Sequence, residues 1–130
     1  MLPPHRIRIR RVYEPPGAEE GYRVLVDRVW PRGVSKEKLP IEAWKKELAP
    51  STELRKWFAH DPSRWEEFSR RYRRELDFHA DLLQELLHAA GSRDLTLLYS
   101  ARDKEHNQAV VLQELLEELA KSERNATRSR

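Results

Sequence analysis

The stretch 94-DLTLLYSARDKEHN-107 sets a short apolar run directly against a charged loop. Leu95, Leu97, Leu98 and Tyr99 surround Thr96 without the 3–4 residue spacing of an amphipathic helix. Such continuity is expected of a strand covered on both faces, because every side chain must then be buried. From Lys104 to about Lys121 the pattern changes. Val110, Val111, Leu115, Leu116 and Leu119 recur on one helical face, so the order is strand, charged loop, helix.

A second stretch repeats this plan. In 22-YRVLVDRVW-30 three consecutive aliphatics, Val24 to Val26, run into Asp27 and Arg28, and Pro31 and Gly33 end the strand. Before it, 5-HRIRIRRVY-13 alternates Ile7 and Ile9 with Arg6, Arg8 and Arg10, the period of a strand with one wet face. The segment 14-EPPGAEEG-21 between them reads as a surface loop.

The remaining text predicts helices. A short one fits 40-PIEAWKKEL-48, where Ile41, Trp44 and Leu48 share a face. Ser51 or Thr52 caps a second over 52-TELRKWFAH-60. Asp61, with Pro62 at the first helical position, starts a third. Trp65, Phe68, Tyr72, Leu76, Leu83 and Leu86 carry it to Ala90, with Gly91 as the stop, and Glu66/Arg70, Glu67/Arg71 and Arg71/Glu75 are expected as i,i+4 pairs. Strands alternating with helices define an α/β class: a single compact domain with a short, largely parallel sheet flanked by helices. Residues 1–121 are expected to form it, and 122-SERNATRSR-130 to be a basic, frayed tail.

Length and composition agree with one domain. The chain has 130 residues, 38% hydrophobic and 36% charged, with 25 basic residues against 22 acidic and a net charge of +3. Charges so nearly balanced describe a mixed surface, not that of a dedicated polyanion binder, so nucleic acid is not the expected partner. Arginine is the dominant cation, a choice suited to forked contacts with carboxylates or phosphates, though a coding bias or a heat-adapted lineage explains the same excess. There is no cysteine, hence no disulfide framework, thiolate chemistry or Cys-ligated zinc. No run approaches the length of a membrane span, and the expected setting is the cytoplasm.

Ligands of open parallel sheets collect beyond the carboxyl ends of the strands. Both buried strands end in charged text there. If they are neighbours, Arg28, Arg32 and Arg102 converge with Asp27 and Asp103 near the start of the last helix, whose free N–H groups favour an anion. The cluster reads either as this anion site, with Asp27 fixing an arginine, or as an ion-pair hub in which the aspartates neutralise the arginines and Asp103 caps the helix. His106 and Asn107 read either as groups that orient a ligand or as a polar first turn. Were there chemistry, His106 would shuttle the proton, with Tyr99 or Asp103 assisting.

Other constellations are weaker. Asp61 beside His60 reads as a helix cap next to a loop residue. His79 and His88 are nine residues apart, the H-E-x-x-H pattern is absent, and neither a metal nor another cofactor is expected. Trp44, Trp57 and Trp65 sit at helical spacing and read as core, not as stacking platforms.

Four blocks in order, 26-VDRVWPRG-33, 44-WKKELAPS-51, 54-LRKWFAHDPSRWEEF-68 with Arg71-Tyr72, and 97-LLYSARDKEHNQAVVL-112, resemble the YeaO-like branch of the bacterial and archaeal domain-of-unknown-function family 488. The resemblance spans about residues 5 to 119. It implies a compact α/β protein and brings no activity with it. Some branches of the family bear paired cysteines, and no cysteine-based role transfers to a chain that has none. The best-matching positions include Asp27, Arg28, Trp30, Pro31, Arg32, Gly33, Lys46, Pro50, Tyr99, His106 and Asn107, which favours a functional rim over a simple ion-pair hub.

The expected function is therefore recognition of a phosphorylated or carboxylated small molecule. Asp27, Arg28, Trp30, Arg32, Arg102 and Asn107 would bind it, and Arg28→Ala is expected to abolish binding while leaving the fold intact. The alternative is an interaction module that meets nucleic acid or an acidic protein through Arg6, Arg8, Arg10 and the basic tail.

Overall fold

The structure is a computed structural model that describes residue 4, residues 6–17 and residues 20–128, with side chains described as far as residue 125. His5, where the first strand was expected to begin, and residues 129–130 of the expected tail lie outside the described residues. So do Ala18 and Glu19 of the first loop.

Four parallel strands form one sheet in the order β1 (Ile7–Arg11), β4 (Leu95–Tyr99), β2 (Tyr22–Leu25), β3 (Ala43–Trp44). The strand 95-LTLLY-99 is central and buried at every residue, as its unbroken apolar text requires. Side-chain alternation then divides the core in two. Val24, Val26, Leu95 and Leu97 face a large cluster shared with all four helices, while Leu25 and Leu98 face a smaller one with Val12, Leu39, Trp30 and Trp44. Helices cover one face of the sheet, and the long β2–β3 connection covers the other.

Those helices are α1 (Thr52–Phe58), α2 (Trp65–Asp77), α3 (Ala80–Ala90) and α4 (Gln108–Arg128). Ser51 Oγ caps α1 by accepting the Leu54 N–H at 3.1 Å. Asp61 accepts the Ser63 N–H at 3.0 Å and opens a 3-10 turn, Pro62–Arg64, that runs into α2. Gly21 is obligatory before β2: its φ is +63°, and a Cβ there would lie 2.1 Å from the Asp94 carbonyl oxygen.

Several expectations are corrected. The expected third helix is two, broken at Phe78 and His79, with Phe78 87% exposed. Residues 40–48 do not form a helix: Ala43 and Trp44 pair with Val24 and Leu25 as a short edge strand, and only Lys46–Leu48 make a 3-10 turn. The last helix begins at Gln108, not Lys104, and continues to Arg128, through the segment expected as a tail. Of the expected i,i+4 pairs Glu67/Arg71 forms, but Arg70 pairs with Glu67 and not Glu66, and Glu75 accepts instead from the backbone N–H and hydroxyl of Ser51, at 2.8 and 2.6 Å. No helix among the described residues is long and apolar enough to cross a membrane.

Candidate functional site

The two charged strand ends are neighbours. β2 pairs with β4 from Tyr22↔Leu95 to Leu25↔Leu98, and the Val26 N–H donates to the Leu98 carbonyl at 3.0 Å. Beyond them opens a cleft of about 660 Å³. Asp27, Arg28 and Val29 line it from the segment after β2, residues 100–103 and 106–108 from the segment between β4 and α4 and the start of α4, and Arg55, Lys56, Phe58 and His60 from α1 and the turn after it.

Asp27 is the buried carboxylate of this cleft, 7% exposed. Burial pushes its pKa up, against hydrogen bonds from the side chain of Ser100, from Gln108 and from the Ser100 backbone, and against the charge of Arg55. Gln108 Nε2 donates to Asp27 Oδ1 at 2.6 Å. Asp27 is in no ion pair among the described residues, so the expectation that it fixes an arginine is corrected. Arg28 is drawn elsewhere: its Nε donates to the Pro50 carbonyl at 3.0 Å and its Nη2 to that of Ala49 at 3.3 Å. The guanidinium thus clamps the loop that leads into α1, and its charge meets no carboxylate.

Residues 102–108 form a self-bonded turn. Asp103 Oδ1 accepts the backbone N–H groups of Glu105 and His106, at 2.9 and 3.0 Å, and Oδ2 lies 2.8 Å from His106 Nδ1. These contacts, the Glu105 N–H first and then the His106 side chain, hold the Asp103 carboxyl below its usual range. With Nδ1 engaged, Nε2 is the His106 nitrogen left for a ligand. The imidazole also packs edge-on against Trp65, centroids 5.3 Å apart. Asn107 is the cap of α4: Oδ1 accepts the Ala109 and Val110 N–H groups, and Nδ2 donates to the Asp103 carbonyl at 2.9 Å. At 2% exposure it caps the helix, and it also lines the cleft.

The expected residues thus separate into two groups. Asp27, Arg28, Arg102, Asp103, His106 and Asn107 line the cleft, and Trp30, Arg32 and Tyr99 do not. After Val29 the chain turns at Pro31, with Gly33 at φ +73°, and passes over the other face of the sheet. There Trp30 packs against Trp44 at 5.5 Å, and the carbonyl of exposed Arg32 accepts the Tyr13 hydroxyl. Tyr99 is buried in the large core, 2% exposed, and burial is the chief cause raising its pKa. Its hydroxyl interacts with Asn107, which lines the cleft.

Sequence reasoning missed Arg55, Lys56, Phe58, Ser100 and Gln108, and assigned His60 only to a loop. Ala59 and His60 both hold left-handed backbone, φ 47° and 56°, which turns the chain after α1 along the cleft. Gln108 had a local signal, being the first helical residue after the Asn107 cap. Among the described residues no three His, Asp or Glu side chains group as a metal site would need.

A parallel α/β domain with a cation-lined cleft beyond two adjacent strand ends is the class these features define. The chain belongs to the YeaO-like proteins of domain-of-unknown-function family 488: the family model described as the inactive DUF488-N3 subclade matches residues 6–130. It is 43% identical over 113 residues to the uncharacterized protein YeaO of Escherichia coli (strain K12), an alignment covering 87% of this chain and 98% of that protein. It is 41% identical over 116 residues to the uncharacterized protein Rv3073c of Mycobacterium tuberculosis (strain H37Rv), covering 89% and 98%. No solved structure matches the chain.

Proposed function

We propose that the protein binds a small phosphorylated or carboxylated molecule in the strand-end cleft and does not transform it. One observation carries this reading. Arg28, Arg55, Lys56 and Arg102 line the cleft, and none of them is in an ion pair among the described residues. The carboxylates beside them are otherwise engaged: Asp27 accepts from Ser100 and Gln108, and Asp103 from its own turn. A concave site with surplus positive charge favours an anion. His106, held in orientation by Asp103, lines the same cleft.

The description of the matching subclade as inactive favours binding over turnover. Tyr99 is not itself among the residues that line the cleft, which weakens a proton-transfer role for it. The setting is taken to be the cytoplasm, where such anions are abundant. Contact with a macromolecule through the β1 arginines has less support, because Arg8 is paired with Asp94 at 3.0 Å and Arg10 with Glu20 at 3.2 Å.

A thermal-shift titration with phosphate, citrate and a short nucleic acid tests the proposal. A ligand at 100 times its dissociation constant stabilises the fold by about 2.7 kcal/mol. Stabilisation by the small anions, only weakly reduced by salt, is the expected result. Silence from them, with a steeply salt-dependent response to nucleic acid, would replace the cleft with a surface that reads phosphate backbones.

A further inference from the structure

We infer that the cleft, read as an anion site as above, is built for an anion carried on a flat apolar body, an aryl phosphate in chemical class, in preference to a bare inorganic ion. Its two sides differ in character. Arg55, Lys56 and Arg102 supply charge from exposed positions, while Phe58 and Phe68 line the interior. Those two rings stack at 4.4 Å with an interplanar angle of 27°, and Phe68 stacks in turn on Trp65 at 5.6 Å. The aromatic row ends at His106, edge-on to Trp65, so the row leads to the same imidazole that faces the anion.

Val29 is a second, independent sign. It lines the cleft, yet it is 62% exposed, in neither apolar cluster, and follows Asp27 and Arg28 directly. An aliphatic side chain left in water at the mouth of a charged cleft gains from contact with apolar ligand surface. Size points the same way. About 660 Å³ is in the range of sites that enclose whole organic ligands, far more than a lone phosphate fills. The two phenyl rings in the lining favour a planar apolar group, which can make edge or face contacts with them.

Calorimetric titration of the full chain with inorganic phosphate, ribose 5-phosphate and phenyl phosphate tests this. Phenyl phosphate is expected to bind at least about tenfold more tightly than inorganic phosphate, the scale of one modest apolar group in a fitting pocket. Ribose 5-phosphate, with a polar body of similar size, is expected to gain no such advantage. The double variant Arg55→Ala/Arg102→Ala, changed only at exposed positions, is expected to lose the tight binding of phenyl phosphate. Equal affinity for phenyl phosphate and inorganic phosphate overturns the inference and leaves the anion site standing. Tight phenyl phosphate binding that survives in the double variant overturns it too, since the ring is then held elsewhere. Absence of binding by all three removes both the inference and the reading on which it rests.

Discussion

Asp27 Oδ1 accepts a hydrogen bond from Gln108 Nε2 at 2.6 Å, tying the end of β2 to the first residue of α4. The two residues are 81 positions apart in the chain. Ser100, at the end of the neighbouring strand, completes the junction by donating to the same carboxyl. Strand end, strand end and helix start therefore meet at one buried acid. Whatever binds in the cleft rests on that junction.

The charge of Asp27 makes the junction pH-sensitive. Its pKa is raised in the folded state, so the folded form holds the proton more tightly than the unfolded chain does. That contribution is complete below the ordinary carboxylate range and is lost as pH rises through the raised value. Asp27→Asn cannot titrate. Thermal unfolding of both proteins from acid to neutral pH should show the variant gaining on the wild type as pH rises, whatever constant offset its altered hydrogen bonds bring. A difference independent of pH would contradict the assignment.

Arg28 holds the fold as well as the charge. Its two donations to the carbonyls of Ala49 and Pro50 fix the loop before α1, the helix that brings Arg55, Lys56 and Phe58 to the cleft. Hydrogen bonds from a charged group contribute about 1.5–3 kcal/mol. Arg28→Ala should lower unfolding free energy by that amount in a urea titration as well as weaken anion binding. Arg28→Lys should recover little, because an ammonium lacks the planar fork. Full stability in the lysine variant would show that charge alone suffices.

Asn107 offers a cleaner separation of structure from binding. As the cap of α4 it should cost about 0.5–2 kcal/mol when replaced by alanine, and Asn107→Asp should retain most of the cap. Circular dichroism with denaturant reads both. Wild-type stability in Asn107→Ala would mean that the packing of α4 against the sheet, not the cap, sets where the helix begins.

These contacts show which parts of the molecule were legible from its text. The central strand was, because 95-LTLLY-99 has no polar face and burial on both sides leaves few alternatives. Its neighbour was legible as a strand for the same reason, but the β2–β4 pairing that brings Asp27 and Arg28 beside Arg102, Asp103 and His106 was not, since no local pattern fixes which strands are adjacent. The break at Phe78 and His79 was not: Leu76 and Leu83 are seven residues apart and keep helical phase across it. Ile41, Trp44 and Leu48 also have helical spacing, yet pairing of Ala43 and Trp44 with β2 outweighs a short segment's weak preference for helix. At the site, Trp30 and Arg32 share a motif with Asp27 but not a location, since one tight turn takes them across the sheet. Arg55, Lys56 and Phe58 reach the cleft through the packing of α1 on α2, a long-range relation that local pattern does not carry.

Unpaired positive charge in the cleft is proposed to hold a small anion. Isothermal titration of the full chain with inorganic phosphate and with phenyl phosphate, beside the Arg55→Ala/Arg102→Ala variant, tests this most directly. Each charge-assisted contact is worth about 1.5–3 kcal/mol, and 1.4 kcal/mol is a factor of ten. Saturable one-to-one binding by the wild type, weakened at least about tenfold in a variant of unchanged fold, is the predicted result. Absence of binding by the wild type to either inorganic phosphate or phenyl phosphate, or equal binding by both proteins, would rule out an anion site in the cleft.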